Sequence, residues 1–175
     1  MISVRFWPMT CLLVGLCLAG PVAAQEDQTP SDAGTFAIFD QLNALEIAIG
    51  RVGAENGRAE AVRSLGKSIA TDQEAMQRQG RELGRKLKIF TKPPANELGS
   101  YSQTVARLRA VPEAEFDAAY LKQEVVLQRN VIDALAGLLP SIRDPELAAF
   151  MRGVIHSFET HLKAAQAAAR NLALE

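Results

Sequence analysis

No proline interrupts residues 31–92. Over more than a third of the chain, that run admits two long helices and little else. Within it, apolar residues recur every three or four positions. The first half carries Ile38, Phe39, Leu42, Leu45, Ile49 and Val52, and the second carries Val62, Leu65, Ile69, Met76, Leu83 and Leu87. This is the period of a helix with one buried face. Ser31 or Thr35 supplies an N-cap. Asn56-Gly57 is a helix stop, because both residues tolerate the left-handed conformation. The second helix then starts near Arg58. So short a turn makes the two helices antiparallel neighbours.

Pro93-Pro94 ends the second helix, and residues 90–112 form a long connection. Leu98 to Leu108 can make a short helix inside it. Pro112 suits the first turn of a third long helix, with Glu113 and Glu115 at the positive end of its dipole. Its stripe is Phe116, Tyr120, Leu127, Val131, Ala134 and Leu138, and Pro140 stops it. Asp144-Pro145-Glu146 opens a fourth helix, an acidic cap followed by proline at the first helical position. That helix carries Leu147, Phe150, Met151, Val154, Phe158, His161, Ala165 and Leu172. The pattern predicts an all-α four-helix bundle over residues 35–173. Its long connection permits either a crossover or a plain up-down-up-down path. Gly50, Gly53, Gly66, Gly80 and Gly84 lie inside the helices, at about 1 kcal/mol each against Ala. Either they let backbones approach closely, or a long core tolerates them.

Composition agrees with an all-α chain. Ala occurs 28 times, while Trp and Tyr number one and two. The balance of 19 basic and 20 acidic residues leaves no basic footprint for nucleic acid. Residues 1–24 read as a signal peptide: Arg5, a short apolar run from Met9 to Gly20, then Val22-Ala23-Ala24 before a cut. The run is too short for a membrane span, so the mature chain is expected to have none. Cys11 and Cys17 both fall inside this segment, and neither follows a small residue as a lipoprotein cysteine does. Residues 25–34, with three acids and no base, read as a disordered acidic leader.

Four stretches resemble the exported proteins of domain of unknown function 4142, labelled outer-membrane proteins, over most of residues 36–170. They are LEIAIG at 45–50, VRSLGKSIATDQ at 62–73, FDAAYLKQEVVLQ at 116–128 and RDPELAAFMRGVIHSFETHLKAA at 143–165. The resemblance implies a ferritin-like fold and export. It also implies histidine at two positions where this chain has Gln73 and Gln128. Ile155-His156 stands where Leu-Pro is usual, and His161 keeps its place.

A dinuclear metal oxidase on such a bundle needs Glu-x-x-His on two helices, and this chain has none. A single weaker metal site is conceivable from Glu46, bordering the first stripe, Asp72, on the second, and His161, on the fourth. The same three can equally form a buried polar cluster, with His161 bonded to a carboxylate. His156 shares a polar face with Arg152 and Glu159 and is expected in solvent. There is no Gly-x-Ser-x-Gly elbow and no phosphate-binding loop. Phe116 and Tyr120 read as core aromatics, and Asp117 as a complement to its own helix start. The basic end of helix two (Arg78, Arg81, Arg85, Lys86, Lys88, Lys92) reads as cations at a helix C-terminus, with Glu74–Arg78 and Glu82–Lys86 pairs. Docking of anionic lipid or envelope polymer is the alternative there.

These readings together expect a non-catalytic periplasmic bundle without cofactor. It would be a monomer or weak oligomer, with peripheral envelope association and an unknown envelope partner or small ligand. A metal-binding or redox protein of ferritin-like descent is the alternative. The intact mass of the exported chain tests the first step. It should begin at Gln25; a product keeping residues 1–24, or a lipid adduct on Cys17, would contradict the reading.

Overall fold

A computed structural model describes residues 30–89 and 98–173. Five helices form: α1 (Asp32–Asn56), α2 (Glu60–Lys86), α3 (Leu98–Arg109), α4 (Phe116–Leu138) and α5 (Pro145–Asn171). The long ones, α1, α2, α4 and α5, make the four-helix bundle, and α3 is the short helix of the connection. At 1.5 Å per residue the 25 residues of α1 span about 37 Å. Ser31 caps α1, its hydroxyl accepting from Gly34 N–H. The helix therefore begins inside the segment read as a leader, at Asp32 rather than after residue 34. The signal segment and residues 25–29 lie outside the described residues. Asp144 caps α5 by accepting from Glu146 and Leu147 N–H, with Pro145 at its first position.

Two aspartates settle the path of the chain. α2 begins without a side-chain cap of its own. Asp117, in the first turn of α4, reaches across and accepts from Arg58 N–H at 2.8 Å and Ala59 N–H at 2.9 Å. It thus serves the start of α2, not only its own helix. Asp32, in the first turn of α1, accepts from Arg143 and Asp144 N–H at 2.9 and 3.0 Å, just before α5. So α2 and α4 start at one end of the bundle, and α1 and α5 start at the other. α2 and α4 run parallel, and the connection carrying α3 crosses the length of the bundle. The crossover is the path taken.

α1 packs on α2, α2 on α5, α5 on α4 and α4 on α1. The α1–α2 contact is the closest. A Cβ on Gly66 would lie 2.5 Å from Ala54 N and 2.5 Å from Gly50 O, so the two backbones touch. Gly53 gives its space to the ring of Tyr120. These glycines are there for close approach. Gly57 departs from expectation: it has φ −58° and ψ 131°, not a left-handed conformation. It is small because a Cβ would sit 2.7 Å from Gly53 O. The ion pairs along α2 also differ from the i,i+4 pattern. Glu74 meets Arg51 of α1 at 2.7 Å, and Lys86 meets Glu146 of α5 at 2.6 Å. These two pairs tie neighbouring helices, while Glu60 and Arg63 pair within α2.

Gly66→Ala should lower stability by about 1–3 kcal/mol despite its better helix propensity, because backbone rather than a flexible side chain must move. Gly153→Ala, with nothing within 4 Å of the new methyl, should raise stability by up to about 1 kcal/mol. Urea unfolding of the two variants against the parent measures both signs.

Candidate functional site: a buried polar layer

The apolar interior is two clusters, not one. Toward the α1–α2 turn lie Ile49, Val52, Val62, Leu65, Phe116, Tyr120 and Leu121. Toward the α4–α5 turn lie Phe36, Phe39, Val131, Leu135, Met151 and Phe158. Between them, at mid-bundle, every long helix contributes polar side chains. These are Asn43 and Glu46 from α1, Gln73 from α2, Glu124 and Gln128 from α4, and His161 from α5, all buried.

The centre of the layer is an amide between two acids. Gln128 Nε2 donates one hydrogen to Glu46 Oε2 at 2.9 Å and the other to Glu124 Oε2 at 3.0 Å. Glu124 and Gln128 are four residues apart, so they share a helix face. Glu46 comes from the neighbouring helix. Burial pushes the Glu46 carboxyl well above the usual carboxylate range, the Glu124 charge adds to the rise, and the Gln128 amide opposes it. Burial pushes Glu124 up to about 7, against the amide of Gln128 and the neighbouring Tyr120 hydroxyl. The Tyr120 ring stacks on Phe116 at 5.9 Å. Burial first, and the Glu124 charge second, raise its hydroxyl as well.

A second contact joins α5 to α2. His161 Nε2 lies 3.0 Å from Asp72 Oδ2, so the ring nitrogen donates to the carboxylate. The imidazole is 4% exposed and the carboxylate 52%. Asp72 was expected on the inward stripe; it stands at the rim instead, and Gln73 points inward. The reason is the tight approach of α1, which draws in the Gly66, Ala70 and Gln73 edge of α2 at four- and three-residue steps. A third contact runs from Asn43 Nδ2 to the backbone oxygen of Gln73 at 2.9 Å, between α1 and α2.

Of the three sequence candidates, then, His161 and Asp72 meet, while Glu46 pairs with Gln128. Among the described residues, no three His, Cys, Asp or Glu side chains lie close enough together to hold a metal ion. The candidate set omitted Glu124, although Tyr120, Glu124 and Gln128 at four-residue intervals continue one helix face. Gln73 and Gln128, read only as departures from a family pattern, sit at the centre. His156 is on the surface as expected, 3.7 Å from Glu159.

The raised carboxyls make stability depend on pH. An acid whose folded pKa exceeds its unfolded value contributes stability that is complete below the unfolded value. That contribution is lost as pH rises through the folded value. For Glu124 the window runs from 4.5 to about 7, with a slope of about 1.4 kcal/mol per pH unit. Urea midpoints should therefore fall from pH 4.5 toward neutrality. Glu124→Gln, which also removes the charge beside Glu46, should flatten that fall. Stability that rises over this window would contradict the assignment.

With the geometry in place, comparison with known proteins adds the following. No curated protein matches the sequence. A solved structure titled "CopM in the Cu(II)-bound form" superposes with a TM-score of 0.62 at 13% identity, covering 82% of this chain and 99% of that one. At that identity the likeness is one of fold, and it agrees with an all-α bundle. A family model described as "Domain of unknown function (DUF4142)" matches residues 17–168. The chain belongs to the DUF4142 family.

Proposed function

We propose that this is an exported, non-catalytic helical bundle of the periplasm that serves the cell envelope by binding a partner or a small ligand. One observation supports it above the rest: the interior acids and the imidazole are each tied to another side chain of the bundle, and Glu46, Glu124, Gln128 and His161 are buried. Gln128 holds Glu46 and Glu124, and Asp72 holds His161. None of the layer's side chains lines the groove between α4 and α5, the one between α3 and α4, or the grooves beside Arg58 and Arg143. A general acid or base must come within hydrogen-bond reach of its substrate, and Glu46, Glu124 and Gln128 are fully buried. Export rests on residues 1–24. No helix among the described residues is long and apolar enough to cross a membrane.

A metal-binding reading is the second. It draws on the likeness to a bundle solved with Cu(II) and on the buried acid pair. The donor set does not fit copper. Cu(II) favours imidazole nitrogen in a tetragonal arrangement. The interior offers one imidazole, whose Nε2 is already committed to Asp72, and two acids separated by an amide. The two glutamines at expected histidine positions supply weak amide ligands in place of strong ones.

Protein recovered from the periplasm after mild chelation should contain well under one equivalent of copper, iron, manganese or zinc by elemental analysis. Near-stoichiometric metal that survives chelation, and that Glu46→Gln or His161→Ala removes, would overturn the non-metal reading.

A further inference from the structure

α4 turns one side away from the bundle, and that side is not uniformly polar. Between α4 and the last turns of α5 lies an open groove of about 880 Å³, within the size range of small-molecule sites. Its apolar wall is Ala118, Leu121, Val125 and Val126 of α4 with Ala169 of α5. Val126 is 49% exposed, the one large hydrophobic side chain so exposed among the described residues. A second groove of about 390 Å³, between α3 and α4, shares Ala119, Lys122 and Val126 with the first. The apolar strip therefore continues across α4 toward Leu108.

Three cations border the larger groove: Lys122, Arg129 and Arg170. Some surface cations of the bundle are paired across helices, as with Arg51, Lys86 and Arg109. Among the described residues, none of these three has an ion-pair partner. An apolar strip edged by unpaired positive charge complements a ligand that carries both an apolar chain and an anion. Lys122 and Arg129 are seven residues apart and so lie on one side of α4. The acid in the lining, Glu115, stands where α4 begins, at the same end as Arg170 near the finish of the antiparallel α5. Lys122 and Arg129 lie farther along α4, away from that acid.

We propose that the α4–α5 groove binds a single-chain anionic amphiphile, its acyl chain along Leu121, Val125 and Val126 and its carboxylate or phosphate head at Arg129 and Lys122. The proposal deepens the binding role inferred above and rests on it. It uses none of the buried polar layer.

Titration of the exported chain with cis-parinarate, a fatty acid whose fluorescence rises when its chain leaves water, tests the site. Saturable one-to-one binding is expected. Palmitate should displace the probe, and the uncharged palmityl alcohol should do so about tenfold less well or worse. Arg129→Glu, an exposed change that leaves the core untouched, should weaken binding about tenfold. Ala169→Trp, which fills the groove, should abolish it, with circular dichroism checking that the bundle is intact. Arg81→Glu, the same charge change on the exposed surface of α2, should leave binding unchanged. Absence of saturable binding overturns the proposal, as does binding indifferent to Arg129→Glu. Capture by phosphatidylglycerol vesicles that neither groove variant weakens would assign the surface to membrane docking and overturn it too. Ligand recovered chemically altered would leave the site standing and overturn the non-catalytic reading, so the two failures are distinct.

Discussion

A single side-chain amide holds the centre of this bundle together. Gln128 has two N–H groups, and each goes to a different buried carboxyl, Glu46 on α1 and Glu124 on its own helix. Two bare carboxylates so placed in an apolar interior would repel each other and lose their hydration. The amide offers each a donor without bringing a charge of its own. A cation in its place would favour two ionised acids; the neutral amide leaves burial to dominate, and both carboxyls are pushed upward. The layer therefore holds acids that resist ionisation, and the two apolar clusters pack on either side of it.

Such a layer costs stability relative to a wholly apolar one and in return specifies which helices pair. An apolar stripe accepts many rotations and offsets of its partner. A hydrogen bond of 2.9 Å accepts one. Glu46 to Gln128 fixes α1 against α4, His161 to Asp72 fixes α5 against α2, and Asn43 to the Gln73 carbonyl fixes α2 against α1. The aspartates at the ends do the same for direction. Asp117 binds the start of α2 and Asp32 the start of α5, a pattern available only if the connection crosses the bundle. The glycine contact of Gly50 with Gly66 sets the distance. Registry, direction and separation thus rest on different residues.

Much of the fold was legible because it depends on local signals. Proline positions, Asp144-Pro145 and the three-to-four spacing each act within one helix, and they placed all five helices. What failed was finer and tertiary. The third long stripe was read through Leu127 and Ala134, yet Ala134 is exposed while Leu121 and Leu135 are buried. Polar residues at Glu124 and Gln128 had hidden the true line of that face. Asp72 and Gln73 were exchanged for the same kind of reason. Which of two adjacent positions turns inward depends on how closely the next helix approaches, and the glycines of α1 and α2 decide that. The partner of Asp117 lies 58 and 59 residues away, beyond the reach of any local rule.

The inward and outward faces of α4 carry opposite designs from one repeating sequence. Inward, Tyr120, Glu124 and Gln128 are polar groups buried among apolar neighbours and held by one another. Outward, Val126 is an apolar group left in solvent, beside the part-buried Val125 and among unpaired Lys122 and Arg129. A helix selected for packing alone would put these the other way round. The inward exception is accounted for by helix pairing, since Gln128 ties α4 to Glu46 of α1. The outward exception has no counterpart within the described residues: no acid pairs with the two cations, and Val126 stands exposed. The interior exception is held by the fold's own hydrogen bonds through Gln128, whereas the exterior cations have no ion-pair partner among the described residues. The proposed ligand site therefore lies on the α4 surface, apart from the buried ionisable groups, of which Glu46 and Glu124 are joined through Gln128 of that same helix.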